Sequence, residues 1–251
     1  TIKLRKWHSR QKKCIDSHPV HTFYRPPISA LLQLLIDLRI RSFNMHGLNQ
    51  GESLLKHMCM NNNFDVLLLQ EHWLSPANIH RINDITGADF ICYSCSSMSK
   101  ECSSDILRGR PYGGLSIIVN NTIEQRTAEI VCSSDRIIAI ILAGLLIDVY
   151  FPCSSKNDYK DITLELLGNL DYLFSSHEFD YVILGGDFNC NIDLPSWSSS
   201  TVLDFMKSHN LVNCQCSWPD NSKITYHHDS LQLFSCIDYF MVSDSLFEHV
   251  I

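Results

Sequence analysis

The chain has 251 residues, of which 45% are hydrophobic, so it is long enough to form one large domain around a buried core. Its formal net charge is −7 at pH 7, which excludes a protein that coats nucleic acid through bulk positive charge. The most apolar run, Ile137 to Ile147, is too short for a membrane span of about 20 residues, so no membrane partner is expected.

The eleven cysteines bear on the cellular compartment and on zinc binding. Their number is odd, their spacings are irregular and no signal peptide precedes them, so we expect an intracellular, reducing compartment. Cys92 and Cys95 form a Cys-x-x-Cys pair near Cys102, but a second pair with zinc-ligand spacing is absent. Because free cysteine is common in protein cores, we interpret these residues as core residues rather than as zinc ligands.

The first 36 residues are predicted to be a basic, disordered leader outside the fold. They contain prolines at positions 19, 26 and 27 and no sustained hydrophobic period before an apolar patch at Ile28 to Leu35. Six of the first thirteen residues are basic: Lys3, Arg5, Lys6, Arg10, Lys12 and Lys13. Such a tail could touch phosphate, but a solvated arm is favoured, which places the domain at residues 37–251.

From residue 38 onward, short apolar runs alternate with amphipathic segments of helix length, the pattern of a layered α/β domain. The predicted strands, in chain order, are Leu38–Asn44, Val66–Gln70, Phe90–Ser94, Gly114–Val119, Arg136–Leu142, Leu145–Phe151, Tyr181–Leu184, Ile224–Tyr226 and Ile237–Val242. A turn at Ala143-Gly144 divides the most apolar run between two of these strands.

Helices are predicted between the strands. The clearest is Asp158–Phe174, in which apolar residues recur at helical spacing. A shorter helix begins at Ser75-Pro76, with serine at the N-cap and proline at the first helical position. Others are predicted at Glu52–Met60, at Thr201–Ser208 and, after an N-cap at Ser243-Asp244-Ser245, at Leu246–Ile251. The serine-rich stretches near 96–104 and 196–200 are interpreted as loops.

Three of the predicted strands run into acidic or amide residues that a core would reject. These residues are Asn44 after the first strand, Gln70-Glu71 after the second, and Gly185-Gly186-Asp187-Phe188-Asn189 after the strand at Tyr181–Leu184. Each strand thus delivers oxygen-bearing side chains to one edge of a sheet. Such oxygens suit a hard cation such as Mg²⁺ with a substrate phosphate, which is what phosphodiester hydrolysis requires.

Each of these residues also has a purely structural interpretation. Asn44 could be a turn residue, Glu71 a helix-cap carboxylate, and Asp187 with Asn189 an Asx turn after a strand. Taken singly, the structural interpretations are favoured. The two glycines before Asp187 shift the balance towards a site, because they let the backbone bend tightly or a substrate approach closely.

Seven segments, in order, resemble the motif series of LINE-type (non-LTR) retrotransposon endonucleases, which belong to the endonuclease/exonuclease/phosphatase superfamily. They are Ser42-Phe43-Asn44, Leu69-Gln70-Glu71, Arg110-Pro111-Tyr112-Gly113-Gly114, Val149-Tyr150-Phe151-Pro152, Gly185-Gly186-Asp187-Phe188-Asn189, Thr225-Tyr226-His227 and Ser235-Cys236-Ile237-Asp238-Tyr239. The series covers about residues 38–251. The resemblance implies a DNase I-like fold: a four-layered α/β sandwich of two packed mixed β-sheets flanked by helices.

The resemblance also implies an endonuclease that uses Mg²⁺, or Mn²⁺ in its place, to nick DNA by phosphodiester hydrolysis. In such elements a reverse transcriptase follows the nuclease in the same polyprotein, and the nuclease acts in the nucleus. Two alternatives stay open: a catalytically dead remnant that keeps the fold, and a small-molecule or lipid phosphatase of the same superfamily. Against the phosphatase, the sequence lacks the extended segments that mark inositol polyphosphate phosphatases.

Carried over residue by residue, the resemblance implies roles for five side chains. Glu71 resembles the principal metal-binding carboxylate, and Asn44 assists in placing metal and phosphate. Asp187 resembles the residue that orients or deprotonates the attacking water. Asn189 and Tyr150 are similar to residues that contact the scissile phosphate, where negative charge accumulates in the transition state.

Asp238 is the remaining catalytic candidate. It lies within an apolar strand, where an unpaired carboxylate is unfavourable, so it needs a partner. In the family this aspartate orients a catalytic histidine, and Thr225 and Ser235 resemble hydroxyl positions near the phosphate. The family histidine belongs to a Ser-Asp-His segment that does not occur before the chain ends at Ile251. We therefore assign no catalytic histidine and expect a weakened nuclease.

Overall fold

Two mixed β-sheets packed face to face, with helices on their outer faces, form the described part of the chain. The computed structural model describes residues 2–3, 38–98, 111–123, 129–142, 144–176, 179–217, 224–228 and 232–250. The strands are β1 (Ile2–Lys3), β2 (Arg39–Asn44), β3 (Val66–Gln70), β4 (Phe90–Cys95), β5 (Leu115–Asn120), β6 (Glu129–Ser133), β7 (Ile137–Ile141), β8 (Leu145–Tyr150), β9 (Val182–Asp187), β10 (Leu211–Asn213), β11 (Tyr226–His228), β12 (Leu233–Ser235) and β13 (Asp238–Ser243). The helices are α1 (Leu48–Met60), α2 (Arg81–Thr86), α3 (Tyr159–Ser176), α4 (Trp197–Ser208) and α5 (Asp244–Phe247), with 3₁₀ turns at Pro76–Asn78 and Cys214–Ser217.

The two sheets differ in strand order, but each has one parallel pair of strands at its centre. Within the described residues, the first sheet has five strands in the order β1-β2-β3-β5-β4, and the second has six in the order β10-β13-β9-β8-β7-β6. β11 and β12 form a separate two-stranded hairpin. In each sheet one central pair is parallel, β2 with β3 and β8 with β9. Because parallel neighbours run in the same direction, each of these pairs ends at a single sheet edge.

Successive side chains of a strand point to opposite faces of its sheet, and both faces are covered here. In β3, Val66 and Leu68 point between the sheets, whereas Leu67 faces the helices. In β8, Leu146 points between the sheets and Ile147 faces the helices. Strands that are apolar at nearly every position are typical of sheets covered on both faces.

Helices form the two outer layers. Apolar residues of α1 and α2 pack on the first sheet, and they include Leu48, Leu55, Met58 and Ile82. Apolar residues of α3 and α4 pack on the second sheet, and they include Leu166, Leu170, Leu173, Val202 and Phe205. The layers therefore follow the order helix, sheet, sheet, helix, which confirms the predicted four-layered α/β sandwich. No helix in the described residues is long and apolar enough to cross a membrane.

Every predicted strand overlaps an observed one, although that predicted at Ile224–Tyr226 lies later, at Tyr226–His228. The predicted turn after the first half of the apolar run is confirmed, because β7 and β8 pair antiparallel around it. The sequence did not predict β6, β10 and β12. These strands have only three to five residues and mix polar with apolar positions, so their alternation is too short to recognise.

One loop prediction and one helix prediction need correction. The loop prediction at 196–200 is wrong because Ser196 caps α4: its side chain accepts from the Ser199 amide, and the Ser199 side chain bonds back to the Ser196 amide. The helix expected at Ser75-Pro76 is a 3₁₀ turn, and α2 begins only at Arg81. Elsewhere the bounds differ by a few residues, as for α1, which begins at Leu48 rather than Glu52.

The leader prediction is wrong for two residues. Ile2–Lys3 pairs antiparallel with Arg39–Ile40 as an edge strand of the first sheet. A strand edge such as that of β2 presents backbone amides and carbonyls that an added strand can satisfy. The rest of the predicted leader lies outside the described residues.

Candidate active site at the edge of the two sheets

Polar side chains from both sheets meet where β2, β3, β8 and β9 end. The alternation that directs Ile183 between the sheets also directs Asp187 there, four residues later. Asn44 takes the same place at the end of β2. In the register of the second sheet, Asp187 lies opposite Tyr150 on one side and Asp238 on the other. Residues far apart in sequence are thereby brought to one edge.

Glu71 joins them through an unusual turn. It follows Gln70, which lies on the inter-sheet face, so continued alternation would direct the Glu71 side chain towards the helices. Instead Glu71 has a left-handed φ of 55°, which lets the side chain face the site. Its carboxylate accepts hydrogen bonds from Asn44 Nδ2 at 3.1 Å, from Trp73 Nε1 at 2.9 Å and from the Tyr150 hydroxyl.

Asn44 links the two sheets at this point. Its Nδ2 donates to Glu71 Oε1 at 3.1 Å and to Asp187 Oδ2 at 2.9 Å. Its Oδ1 accepts from the His46 amide at 2.9 Å, which fixes the side-chain amide in this orientation. The predicted convergence of Asn44, Glu71 and Asp187 is therefore confirmed, and Asn44 is the bridge between the two carboxylates.

Asp187 and Asp238 form a buried acidic pair. Burial, followed by the charge of Asp238, raises the pKa of Asp187 to about 8. Burial also raises the pKa of Asp238 to about 6, although the Thr225 hydroxyl hydrogen-bonds this carboxylate and favours its charged form. The partner that the sequence required for Asp238 is thus Thr225. Two carboxylates held this close favour either a shared proton or a nearby cation.

Asn189 is tethered beside the same strand ends. Its backbone amide donates to Asp187 Oδ1 at 2.8 Å, so the Asx turn considered from the sequence does form. Its Nδ2 donates to the Phe151 carbonyl oxygen at 2.9 Å. One of the two amide hydrogens of Asn189 is therefore engaged within the protein. Structural and functional interpretations of Asp187 are compatible, because the turn leaves the Asp187 carboxylate at the site.

A second polar layer lies one step deeper, and the sequence analysis missed its central residue, Asp148. Gln70 Nε2 donates to Asp148 Oδ1, and Ser42 Oγ donates to Gln70 Oε1 at 3.2 Å. Asp148 is fully buried, and its Oδ2 has no hydrogen-bond partner within the described residues. Burial raises the pKa of Asp148 well above its usual value, so the side chain is a neutral acid. The signal was present: an aspartate within a strand predicted to be buried.

The turn after Glu71 also contains a buried histidine that the sequence analysis passed over. His72 has no exposed surface, and its ring bonds to the backbone of Cys95 and Leu74. Burial lowers the pKa of His72 to about 4, so the ring is neutral at neutral pH. Gly114 packs against the His72 ring, and the Gly113 carbonyl accepts a hydrogen bond from the Trp73 amide.

An open cleft of about 840 Å³ adjoins the site on the side of Glu71 and Tyr150. The β6–β7 turn brings Arg136 to it, and the loop before α3 brings Lys156. The Arg136 guanidinium lies 5.2 Å from the centre of the Tyr150 ring and donates to the Tyr150 carbonyl at 3.1 Å. Tyr112 is exposed on the same wall. Positive charge and aromatic surface therefore lie directly beside the carboxylates.

The β11–β12 hairpin stands on the other side, next to Asp238. Thr225 Oγ1 accepts from the amides of Ile237 and Asp238 at 3.0 and 3.1 Å, which anchors the base of the hairpin. Ser235 supplies a carbonyl to the Thr225 amide at 3.0 Å, so its observed contact is through the backbone. Beyond this base, His227 and Phe234 stack with ring centres 4.4 Å apart, and Phe234 is 59% exposed.

The sequence matches the Endonuclease/Exonuclease/phosphatase family over residues 42–251. The chain belongs to this family. Its nucleases and phosphatases hydrolyse phosphate esters, so the predicted superfamily and its hydrolytic chemistry are confirmed. No curated protein matches the sequence at a significant level.

Solved structures show the same fold as this endonuclease/exonuclease/phosphatase domain at low sequence identity. The 3′-5′ exonuclease NExo from Neisseria meningitidis is 16% identical with a TM-score of 0.62, covering 84% of this chain and 89% of that chain. The AP endonuclease LMAP from Leishmania major is 16% identical with a TM-score of 0.62, covering 85% and 81%. An AP endonuclease from Archaeoglobus fulgidus is 17% identical with a TM-score of 0.59, covering 84% and 88%.

The donor set of this endonuclease/exonuclease/phosphatase domain suits the divalent metals that the family typically uses. Glu71 offers carboxylate oxygens, and the Asp187–Asp238 pair adds negative charge beside it. Within the described residues, no group of three or more His, Cys, Asp or Glu side chains is arranged to share an ion. Mg²⁺ fits such a site because it takes one or two carboxylates and completes its shell with water and phosphate. Asn44 presents nitrogen to Glu71, so in this arrangement it holds the carboxylate in place.

Proposed function

We propose that this chain is the endonuclease domain of a non-LTR retrotransposon, which nicks DNA in a Mg²⁺-dependent reaction. The observation that carries the proposal is the convergence of Asn44, Glu71, Tyr150, Asp187 and Asp238 at one sheet edge. Family membership supports phosphodiester hydrolysis. The retrotransposon setting, with its reverse transcriptase and its nuclear site of action, is supported by the motif series.

With a divalent cation held beside the pair at Glu71, Asp187 would be ionised, and in this proposal it accepts the proton of the attacking water. Asn44 Nδ2 and the Asn189 amide hold its two carboxylate oxygens, at 2.9 and 2.8 Å. Water attacks phosphorus and its proton passes to Asp187, while the opposite phosphorus–oxygen bond breaks and the departing oxygen takes a proton from solvent. Asp238 assists because its neighbouring charge increases the affinity of Asp187 for that proton.

Tyr150 and Asn189 stabilise the charge that develops on the phosphate oxygens. Burial and the charge of Glu71 raise the pKa of Tyr150, so its hydroxyl keeps its proton and serves as a donor. Asn189 uses one N–H on the Phe151 carbonyl, and its second N–H serves the phosphate. Glu71 would hold a divalent cation, which would supply positive charge that stabilises the developing negative charge on the phosphate.

The surroundings favour DNA over a small phosphate ester. Arg136 and Lys156 line a cleft that opens beside Tyr150 and has room for more than the scissile phosphate. The exposed His227–Phe234 stack offers an aromatic surface on the opposite side. Local cations and aromatic rings are what a protein of net charge −7 needs to bind a polyanion.

Plasmid nicking tests the proposal. The purified chain is incubated with supercoiled plasmid and Mg²⁺, with and without chelator, beside the variants Asp187→Asn and Glu52→Gln. Glu52 is a matched control because it pairs with Lys56 on the outer face of α1. We expect open circles from the parent and from Glu52→Gln. Chelator should stop the reaction, and Asp187→Asn should slow it by about 10² to 10⁴.

A comparison of three substrates tests which kind of nuclease the chain is. Intact duplex and a duplex with one abasic site are compared, together with a 3′-phosphorylated oligonucleotide. Cleavage of intact duplex supports the proposal. Action confined to the abasic site, or release of phosphate without nicking, would replace it with a repair nuclease or a phosphatase, and no reaction would favour the dead remnant.

A further inference from the structure

The Glu71 turn is held from two sides. Towards β2 and α1, the carbonyls of Gln70, Glu71 and His72 accept from the amides of Met45, Gly47 and Leu48, at 2.9, 2.8 and 3.1 Å. Glu71 and Trp73 both have left-handed φ, 55° and 56°, in which a side chain other than glycine is strained. Such a conformation persists only where the surroundings over-determine it.

His72 is the centre of the second set of contacts. The Leu74 amide donates to His72 Nδ1 at 3.0 Å, and an amide can only donate, so Nδ1 is the acceptor. Nε2 therefore carries the proton and donates to the Cys95 carbonyl at 3.0 Å. A single neutral tautomer satisfies both contacts, and it ties the turn to the end of β4.

Gly113 and Gly114 provide the remaining contacts around the turn. The Trp73 amide donates to the Gly113 carbonyl at 2.8 Å, and the Gly114 amide donates to Ser97 Oγ at 2.8 Å. Both glycines have left-handed φ, 60° and 89°. A Cβ on Gly114 would overlap the His72 ring, and one on Gly113 would overlap Ser97 Oγ. Only glycine fits at both positions.

We propose that His72 is a positioning residue for Glu71, and that its ring, which packs on Gly114, holds the turn that directs the Glu71 carboxylate into the site. The contacts described above join the three segments 71–74, 95–97 and 113–114. The inference depends on the proposed function only in assigning Glu71 to the metal site. It also explains the Gly113-Gly114 pair, to which the motif series gave no role.

The parent protein alone provides the first test. Long-range ¹H–¹⁵N NMR spectra report which imidazole nitrogen carries the proton. We expect protonated Nε2 and unprotonated Nδ1 for His72. The opposite tautomer, or a doubly protonated ring at neutral pH, would overturn the proposal without any substitution.

Variants provide the second test, and the Trp73 indole signal is the reporter because Trp73 Nε1 donates to Glu71 Oε2. Trp73→Phe assigns this signal, and Glu71→Gln shows how it moves when the carboxylate is lost. His72→Phe keeps a ring without either hydrogen bond, His72→Asn keeps an acceptor near Nδ1, and His72→Gln keeps a donor near Nε2. His209→Phe is the control, because His209 pairs with Asp171 far from the site.

We expect His72→Phe to shift the Trp73 indole signal and to weaken Mn²⁺ binding by about 10- to 100-fold, as supporting contacts around metal ligands typically do. His72→Asn and His72→Gln should recover part of both, and His209→Phe should change neither. An unchanged indole signal and Mn²⁺ affinity in all three His72 variants would reduce His72 to a structural residue. If the parent binds no Mn²⁺, the proposed function fails, and the indole signal still decides the role of His72.

Discussion

At the residue scale, the carboxylates near the site are held in different ways. Glu71 accepts hydrogen bonds from three side chains and keeps contact with the open cleft. Asp187 is buried against Asp238. Asp148 lies deeper, beyond the reach of solvent, with Gln70 on one oxygen. Replacing each acid therefore probes a different property: cation binding at Glu71, and folding at Asp148.

Glu71→Gln removes one negative charge and keeps nearly the same shape. We expect the Kd for Mg²⁺ or Mn²⁺ to rise by about tenfold or more, because a hard cation depends on carboxylate oxygen. Calorimetric titration measures it, with Glu52→Gln as the control of equal charge change. Equal affinity in parent and Glu71→Gln would place the cation elsewhere.

Asp148→Asn removes a buried acid and keeps an acceptor for Gln70. The folded-state pKa of Asp148 is raised, so the folded protein binds this proton more tightly than the unfolded chain. The parent should therefore lose stability as pH rises above about 4, the unfolded pKa of aspartate. Asp148→Asn lacks this contribution.

The measurement is the free energy of unfolding from denaturant titrations at several pH values from acidic to neutral. We expect the difference between Asp148→Asn and parent to move in favour of the variant as the pH increases. A difference that does not change with pH would mean that folding leaves the pKa of Asp148 unchanged, which would contradict the raised pKa.

At the element scale, the β11–β12 hairpin differs from the other strands in what it exposes. Tyr226, Leu233 and Phe234 are 44%, 59% and 59% exposed, whereas β3 is buried throughout and β8 is buried at every position but its last. The hairpin is nevertheless anchored at Thr225, next to Asp238. An apolar surface held beside the carboxylates is placed to contact a substrate rather than a core.

Phe234→Ala should weaken DNA binding without changing the fold. Stacking of an unpaired base on an aromatic ring contributes about 1–3 kcal/mol, so we expect the Kd for single-stranded DNA to rise by roughly tenfold. Tyr172→Ala is the matched control, because Tyr172 is 76% exposed on α3. Fluorescence anisotropy with labelled DNA measures both, and equal affinities for the two variants would remove the hairpin from the DNA interface.

At the scale of the whole molecule, the spacing of the two sheets sets the geometry of the site. Gly185 lies on the inter-sheet face of β9, directly below Asp187, and an added Cβ would lie 2.5 Å from Leu68 of the opposite sheet and 2.8 Å from Phe240. Glycine therefore lets the sheets approach at this level. The distance that Asn44 spans between Glu71 and Asp187 depends on that approach.

Gly185→Ala should overpack this contact and destabilise the protein by about 1–3 kcal/mol. Gly168→Ala is the control, and it should increase the free energy of unfolding. Nothing lies within 4 Å of an added Cβ at this position on α3, and alanine favours a helix by about 1 kcal/mol over glycine. Denaturant titration measures both. Restored stability in Gly185→Ala with Leu68→Val would locate the strain between the sheets, and a Gly185→Ala variant as stable as the parent would contradict the packing argument.

The sequence by itself determined the elements whose signals are local. Short apolar runs such as Val66–Leu69 and helical spacing in Asp158–Phe174 predicted the main strands and helices, because a strand buried on both faces is apolar throughout and a helix buried on one face has a helical period. The polar residues at strand ends, Asn44 and Asp187 among them, stood out for the same reason: each interrupts an apolar run. These signals together predicted a layered α/β domain, and the resemblance of seven motif segments gave the family.

Only the tertiary structure decided how those residues meet. Asn44 and Asp187 are 143 positions apart, and their hydrogen bond depends on how two separate sheets pack. The left-handed turn at Glu71, the buried Asp148–Gln70 contact and the seat of His72 on Gly114 also join segments distant in sequence. No local period encodes such contacts, because each is fixed by the shape and hydrogen bonding of a partner segment that packing brings to it.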